Sequence, residues 1–298
     1  MVRGYQAEKI KKKLIDVLLD SKTGLSGIEI AEKLKINRLT MTKYLKVFAA
    51  EGLVKQKNIG NVNLWLMEEG VESFEFPADF FRVKNKYLQY MLSGASREAH
   101  NLLRNSLHSG ANPTKIITEV IVPAIESAQN SYDAGKIGKS EKNFLDDIIL
   151  GSIYLVSLTE HEIDLKKNVI VFSTDSKNSL LAQAASAAFH AQGWKVSQLG
   201  DMSTAIDVMF DLDLQRFLNK IWTKKQGLMI VVVFSSTEST IKFFSQAVTA
   251  SKAKFGKGLH LVFCTKLSKK TKEEADFVSD DIEKVLQWCQ TVYESKQS

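Results

Sequence analysis

The chain has 298 residues, a length that allows two or three domains of ordinary size. Its composition, 44% hydrophobic and 25% charged, is typical of globular proteins, and its apolar runs, such as Leu228–Phe234, are too short to span a membrane. The net charge is +6, and residues 1–70 contain 13 Lys and Arg against 8 Asp and Glu. A basic module joined to a nearly neutral remainder is the charge distribution expected of a nucleic-acid-binding protein.

Several function classes lack the residues that they need. The first residues contain no apolar signal core, so we expect a cytoplasmic protein. Cys264 and Cys289 are expected to pack as small apolar groups, and no Cys and His cluster has zinc spacing. None of the five histidines adjoins a nucleophile motif, and no glycine-rich phosphate loop follows a predicted strand. We therefore expect no catalytic residue, no metal site and no enzymatic activity.

Residues 1–70 show the order helix, helix, turn, helix, hairpin. The predicted helices are Ala7–Leu19, Gly27–Leu34 and 38–51, and the predicted strands are 53–57 and Val62–Met67. Ser26 followed by Glu29 predicts a capping box, and Asn37 is a good N-cap for the third helix.

Residues 26–54, SGIEIAEKLKINRLTMTKYLKVFAAEGLV, resemble winged helix-turn-helix domains. The resemblance implies that the helix at 38–51 enters the DNA major groove and that Met41, Leu45 and Phe48 face the core. Arg38 is suited to guanine, and lysines are suited to phosphates. The residues expected to contact DNA are Arg38, Thr40, Thr42, Lys43, Lys46, Lys55, Lys57, Asn58 and Asn61. The alternative is a winged helix that binds a protein, but the basic helix favours DNA.

Residues 71–160 are predicted to form an antiparallel four-helix bundle. An acidic stretch at 68–79, which contains Pro77, is predicted to be a linker. Four helical segments joined by short connections follow it, at Phe80–Leu92, 96–109, 113–132 and 139–158.

Residues 161–298 alternate strand and helix, which predicts a doubly wound, flavodoxin-like parallel sheet. The strands are expected at 168–173, 194–199, Leu228–Phe234, Leu259–Cys264 and 277–278. Ligands of such sheets bind at the carboxyl ends of the strands, which directs attention to the loops at 173–179 and 235–239. Asp175 and Lys177 there suit a catalytic pair, although a solvated ion pair is favoured. Ser235, Ser236 and Thr237 either line a pocket or cap the next helix, and the cap is favoured.

The C-terminal two-thirds of the chain resembles cobalamin-binding domains preceded by their helical cap. The cap resemblance rests on SGASREAHNLLRNSLHSGANPTKIITEVIVPAI and SYDAGKI. The cobalt-ligating loop of the family, Asp-x-His-x-x-Gly, corresponds to Asp175–Leu180, with Lys177 at the histidine and Leu180 at the glycine. In the light-sensing regulators of this family a tryptophan covers the cobalamin and a Glu-His pair follows it; Tyr132 and Asn143 occupy the tryptophan and histidine positions here. CTKLSKK stands where the family has two glycines.

We therefore expect a multidomain α and α/β protein with a winged helix at 1–70, a four-helix bundle at 71–160 and a cobalamin-domain-like sheet at 161–298. The residues of the expected ligand pocket are Tyr132, Asn143, Asp175, Lys177, Ser235 and Ser236. Cobalamin bound through the usual histidine is not expected, so the cofactor is left open.

The function that follows is a DNA-binding transcriptional regulator with a sensory or oligomerisation module. Its expected partners are double-stranded DNA, further copies of the chain in a homodimer or higher homo-oligomer, and a small-molecule effector. The alternatives are a corrinoid carrier such as a methyltransferase subunit, a haem-binding sensor, and a scaffold without ligand.

Overall fold

The computed structural model describes residues 7–21, 23–60, 62–67, 74–204, 210–222, 227–266 and 275–296. The chain divides into two compact units, Met1–Ala111 and Asn112–Ser298, called here the first and the second unit. The boundaries expected at residues 70 and 160 stay a prediction. Among the described residues, no helix has the length and apolar character that crossing a membrane requires.

The first unit contains five helices and a small antiparallel sheet in its described residues. The elements are α1 (Ala7–Leu19), β1 (Leu25–Ser26), α2 (Gly27–Leu34), α3 (Arg38–Ala50), β2 (Val54–Ile59), β3 (Val62–Met67), α4 (Phe80–Leu92) and α5 (Ser96–His108). The three strands are ordered β1-β3-β2, and Trp65 of β3 lies opposite Leu25 on one side and Gln56 on the other. Helix α4 packs against α5.

Local sequence signals set the ends of α2 and α3. The predicted capping box is present: the Glu29 N–H donates to Ser26 Oγ at 3.3 Å, and the Ser26 N–H donates to the Glu29 carboxylate at 2.7 Å. Asn37 caps α3 by accepting the Leu39 N–H at 2.9 Å. The apolar faces of α1, α2 and α3 close on one core together with the wing residue Trp65, and this core holds α3 against α2.

The second unit begins with helices and continues as alternating strands and helices. Its main elements are α6 (Pro113–Lys115), α7 (Val122–Asp133), α8 (Lys139–Ser157), β4 (Asp164–Ser173), α9 (Ser179–Ala191), β5 (Trp194–Asp201), α10 (Phe210–Ile221), β6 (Leu228–Phe234), α11 (Glu238–Phe255), β7 (Leu259–Cys264), β8 (Phe277–Ser279) and α12 (Ile282–Ser295). The helix predicted at 113–132 is present, with a π-helical stretch at Ile116–Ile121 between α6 and α7. The sequence also predicts a helix at 203–210, most of which lies outside the described residues.

The second unit's sheet is parallel throughout its described strands, in the order β5-β4-β6-β7-β8. Every residue of β6, LMIVVVF, is buried, as expected of a central strand with helices on both faces. This parallel sheet with its flanking helices confirms the predicted Rossmann-like, cobalamin-domain-like fold. Cys264 and Cys289 are free and buried, and burial raises the pKa of both thiols, which agrees with their predicted packing role.

Two hydrogen-bonded arrangements stabilise the margins of the sheet. Gly193 follows α9 with φ +77°, and its carbonyl accepts the Asp164 N–H at 2.9 Å where β4 begins. Asp276, just before the edge strand β8, accepts from Lys252 Nζ at 2.6 Å and from the Leu261 N–H at 2.7 Å. Burial raises the pKa of Asp276, but these bonds outweigh it and hold that pKa below its ordinary value.

Candidate functional site

The outer face of α3 is exposed and basic. Met41, Leu45 and Phe48 are buried as predicted, which turns the opposite face of the helix outward. The predicted residues Arg38, Thr42, Lys43 and Lys46 are exposed there, whereas Thr40 is half-buried. The Thr42 hydroxyl donates to the Arg38 carbonyl at 2.9 Å, so its proton is already used within the helix.

Sequence reasoning missed two apolar side chains on α3. Leu39 is 76% exposed and Val47 is 50% exposed. Leu39 precedes Lys43 by four residues and Lys46 by seven, so these three side chains share one helical face. The signal was available in this spacing, because Leu39 falls outside the core series formed by Met41, Leu45 and Phe48.

The wing carries the remaining predicted contacts. Lys57 and Asn58 are exposed on β2, whereas Lys55 is half-buried. The Gln56 side-chain amide donates to Asn58 Oδ1 at 3.1 Å, which orients the Asn58 amide along the strand. Ile59 and Val62 are exposed on either side of the turn. The predicted contact residue Asn61 lies outside the described residues.

The second unit contains a cavity of about 370 Å³ at the carboxyl ends of β6 and β7, next to α7. Its walls combine apolar side chains with a polar rim of both charges. The lining residues are Val122, Ile125, Glu126, Gln129, Asn130, Asp133, Lys177, Asn178, Leu181, Phe234, Ser235, Ser236, Cys264, Thr265, Lys266, Asp280 and Ile282. Three of the predicted pocket residues, Lys177, Ser235 and Ser236, are therefore brought together.

Lys177 connects the sheet to α7 at this cavity. Its Nζ donates to Asp133 Oδ2 at 2.9 Å, and Gln129 donates to the other oxygen of the same carboxylate at 2.8 Å. The hydrogen bond from Lys177 and then that from Gln129 hold the pKa of Asp133 below its ordinary value. Asp133 is the residue that sequence reasoning missed, since the two partners are 44 positions apart.

Asp175 has a structural role in the same loop. It accepts from the Asn178 backbone N–H at 2.9 Å and from the Ser236 N–H at 3.1 Å. The Asn178 side chain also donates to Asp175 and to Ser236 Oγ. Asp175 thus ties the loop after β4 to the loop after β6, while Lys177 is paired with Asp133.

The serines after β6 line the cavity, and neither is the N-cap residue of α11, although Ser235 Oγ accepts the Thr237 N–H at 3.4 Å just before that helix. Helix α11 starts after Thr237, which makes no side-chain capping bond in this part of the structure. The Ser235 hydroxyl is buried and accepts from Thr174 Oγ1 at 2.9 Å. Both hydroxyl groups therefore belong to the cavity end of the sheet.

Tyr132 and Asn143 are not among the described residues that line the cavity. The Tyr132 ring is partly exposed and has Lys139 Nζ 5.7 Å from its centre, and Asn143 is exposed on α8. His161, the candidate ligand in the haem-binding alternative, precedes β4 at the amino end of that strand, and its Nε2 contacts Thr159 Oγ1 at 2.8 Å. Its pKa is lowered by burial and by His190.

The cavity residues do not fit a cobalamin held in the way that the resemblance implies. The position of the cobalt ligand holds Lys177, whose ammonium group donates to Asp133 and has no lone pair to offer. The volume lies at the lower end of the range for drug-sized ligands, which are far smaller than a corrin with its nucleotide tail. Residues with larger side chains, Thr265 and Lys266 among them, stand where the family has its glycine pair. Within the described part of the chain, no group of three or more His, Cys, Asp or Glu side chains could hold a metal ion.

Comparison with known proteins supports the fold over much of the chain. No protein-family profile matches the sequence, and no curated protein matches it. Among solved structures, the Methanosarcina barkeri monomethylamine corrinoid protein is similar with a TM-score of 0.54 at 14% identity, over 71% of this chain and 99% of that one.

Two further structures match with lower scores. The methanol:cobalamin methyltransferase complex of M. barkeri has a TM-score of 0.37 at 14% identity, over 75% of this chain and 84% of that one. A cobalamin-binding protein of Desulfitobacterium hafniense has a TM-score of 0.37 at 14% identity, over 70% of this chain and 97% of that one. At this identity the first likeness establishes a shared cobalamin-domain-like fold and nothing about the ligand.

Proposed function

We propose that the chain is a DNA-binding transcriptional regulator whose second unit is a sensory or oligomerisation module without a catalytic role. The observation that carries the proposal is the exposed basic face of α3, with Arg38, Lys43 and Lys46 on a helix whose other face is buried in a helix-turn-helix core. This arrangement presents cations on an element of the right width for the major groove.

Each exposed group has a distinct role in the proposed complex. Arg38, at the first position of α3, donates to a guanine edge through its planar guanidinium. Lys43 and Lys46 neutralise phosphates and set the register of the helix on the duplex. Lys57 and Asn58 add donors from the wing to the neighbouring backbone.

The test is salt-dependent binding of the full chain to duplexes selected from a random library. Each lysine that neutralises a phosphate contributes about 0.9 to the slope of log K against log salt concentration. Lys43→Ala and Lys46→Ala should each lower the slope by about one. The matched control is Lys242→Ala, which removes an exposed lysine of the second unit and should leave the slope unchanged. DNA binding through this face would be refuted if no duplex is selected. It would also be refuted if neither Lys43→Ala nor Lys46→Ala changes the slope of log K against log salt concentration.

The cavity of the second unit supports the sensory part of the proposal. Its volume of about 370 Å³ and its mixture of apolar walls and polar rim suit a small amphipathic effector. Such an effector would act by stabilising one of two arrangements of the protein that differ in DNA affinity. Leu181→Trp, which fills the cavity from α9, should abolish thermal stabilisation by any metabolite that stabilises the wild-type protein and should preserve DNA binding without effector.

Dimerisation is part of the same proposal, because one winged helix makes few base contacts. A symmetric dimer would contact both half-sites of a twofold-symmetric operator. Sedimentation of the full chain with and without the selected duplex measures this. A single chain bound per duplex at saturation would contradict the pairing while leaving DNA binding intact.

A further inference from the structure

The side chain of Leu39 is exposed and lies outside the core of the first unit. Its side chain is 76% exposed, whereas Met41 and Leu45 on the opposite face of α3 are 0% and 1% exposed. Its backbone N–H donates to the Asn37 cap at 2.9 Å, a role that any residue other than proline could fill. The fold therefore does not explain a leucine at this position.

The surroundings of Leu39 are cationic. Lys43 and Lys46 follow it at intervals of four and three on one helical face, and Arg38 precedes it; all three are exposed. A surface of this charge attracts a polyanion, which would bring the leucine against the ligand. Leu39 also lies in the first turn of α3, the end of a recognition helix that meets base edges. Helical side chains lean toward the N-terminus, which extends the reach of Leu39 in that direction.

We propose that Leu39 reads a thymine methyl group in the major groove, next to the base pair contacted by Arg38. The proposal rests on the DNA-binding function given above and adds a base preference to it. The major-groove edges of the four base pairs present hydrogen-bonding groups, and the apolar group among them is the 5-methyl of thymine. A leucine has no hydrogen-bonding atom, so contact with that methyl is the sequence information that it can read.

The expected size of the effect follows from the burial of one methyl group. Removing it from the contact costs about fourfold in affinity, from roughly 0.8 kcal/mol per buried carbon group. Leu39→Ala should cost a similar factor or somewhat more, because it removes the other side of the same contact. Both changes leave the phosphate contacts intact, so the salt slope should not change.

The experiment measures binding of the full chain to its selected duplex and to duplexes in which each thymine is replaced in turn by uracil. Uracil lacks only the methyl group of thymine. The wild-type protein should lose about fourfold at one or two positions. Leu39→Ala should show no loss at those positions, and Leu39→Met, which retains an apolar side chain of similar reach, should keep the sensitivity. Val47→Ala is the control, since it shortens another exposed apolar residue of α3 away from the first turn.

The outcomes separate this proposal from the function on which it rests. A wild-type protein that binds a selected duplex but tolerates every thymine replacement would overturn the role of Leu39 and leave DNA binding standing. Equal sensitivity of wild type and Leu39→Ala to thymine replacement would overturn it as well, because another residue would then contact the methyl group. Absence of salt-dependent binding to any duplex would overturn both.

Discussion

We propose that α3 has one face in the core and one face toward DNA. The helix has a leucine on each face, so replacing each leucine by alanine tests this division. Leu45 is 1% exposed and packs in the core of the first unit. A methyl group added to Gly27 at the start of α2 would lie 3.7 Å from Leu45 Cδ1, so this side chain holds α3 against α2. Leu39 on the other face is 76% exposed.

The expected costs of truncation differ accordingly. Leu45→Ala removes a buried isobutyl group and leaves a cavity, which costs about 2–5 kcal/mol. Leu39→Ala removes an exposed group and should change the free energy of unfolding by less than about 0.5 kcal/mol. A loss of this size is a large fraction of the roughly 5–15 kcal/mol that stabilises an ordinary domain, so Leu45→Ala should leave the first unit folded but much less stable.

Native-state hydrogen exchange of the full chain, followed by mass spectrometry, assigns the loss to a region. Peptides from residues 27–54 should exchange faster in Leu45→Ala, in proportion to the lost free energy, while peptides from β4 and β6 of the second unit serve as the internal control. Leu39→Ala should match the wild-type protein in both regions. A loss of less than about 1 kcal/mol for Leu45→Ala, or an equal loss for the two variants, would refute the assignment of the two faces.

Three further predictions concern the second unit. Gly193→Ala should lower the free energy of unfolding by about 1–3 kcal/mol, measured by urea denaturation, because φ is +77° and the added methyl would lie 2.7 Å from the Glu162 carbonyl oxygen. The lowered pKa of Asp276 contributes stability that is complete above its ordinary value of 3.8 and is lost as the pH falls from there through the lowered value. Asp276→Asn should therefore lose less stability than wild type over that acid range in thermal melts. Hydroxocobalamin added to the full chain should elute separately on gel filtration and keep its free visible spectrum, because Lys177 is paired with Asp133.

Each of these predictions has an outcome that contradicts it. A Gly193→Ala variant as stable as wild type would mean that the chain after α9 adjusts without strain. If wild type and Asp276→Asn lose thermal stability equally as the pH falls, the Asp276 carboxylate does not contribute to the acid sensitivity. A corrin spectrum that co-elutes with the protein would show that the cavity opens to a cobalamin despite the ion pair, and would favour the corrinoid carrier alternative.

Much of the fold could be predicted from the sequence because its signals are local. The capping box of Ser26 and Glu29 and the Asn37 cap act over three residues or fewer, so their positions along the chain suffice to place α2 and α3. The fully apolar run Leu228–Phe234 predicts a central strand for the same reason, since burial on both faces requires no polar alternation.

The sites were less predictable, because their geometry depends on segments that are far apart in sequence. The spacing of Met41, Leu45 and Phe48 determines which face of α3 is buried, and so the sequence by itself indicated the exposed lysines. Only the tertiary structure could pair Lys177 with Asp133, 44 residues away, and Asp175 with the Ser236 backbone, 61 residues away. Helical and strand periodicity report which face of an element is buried, but the identity of the groups that meet across two elements is decided by packing.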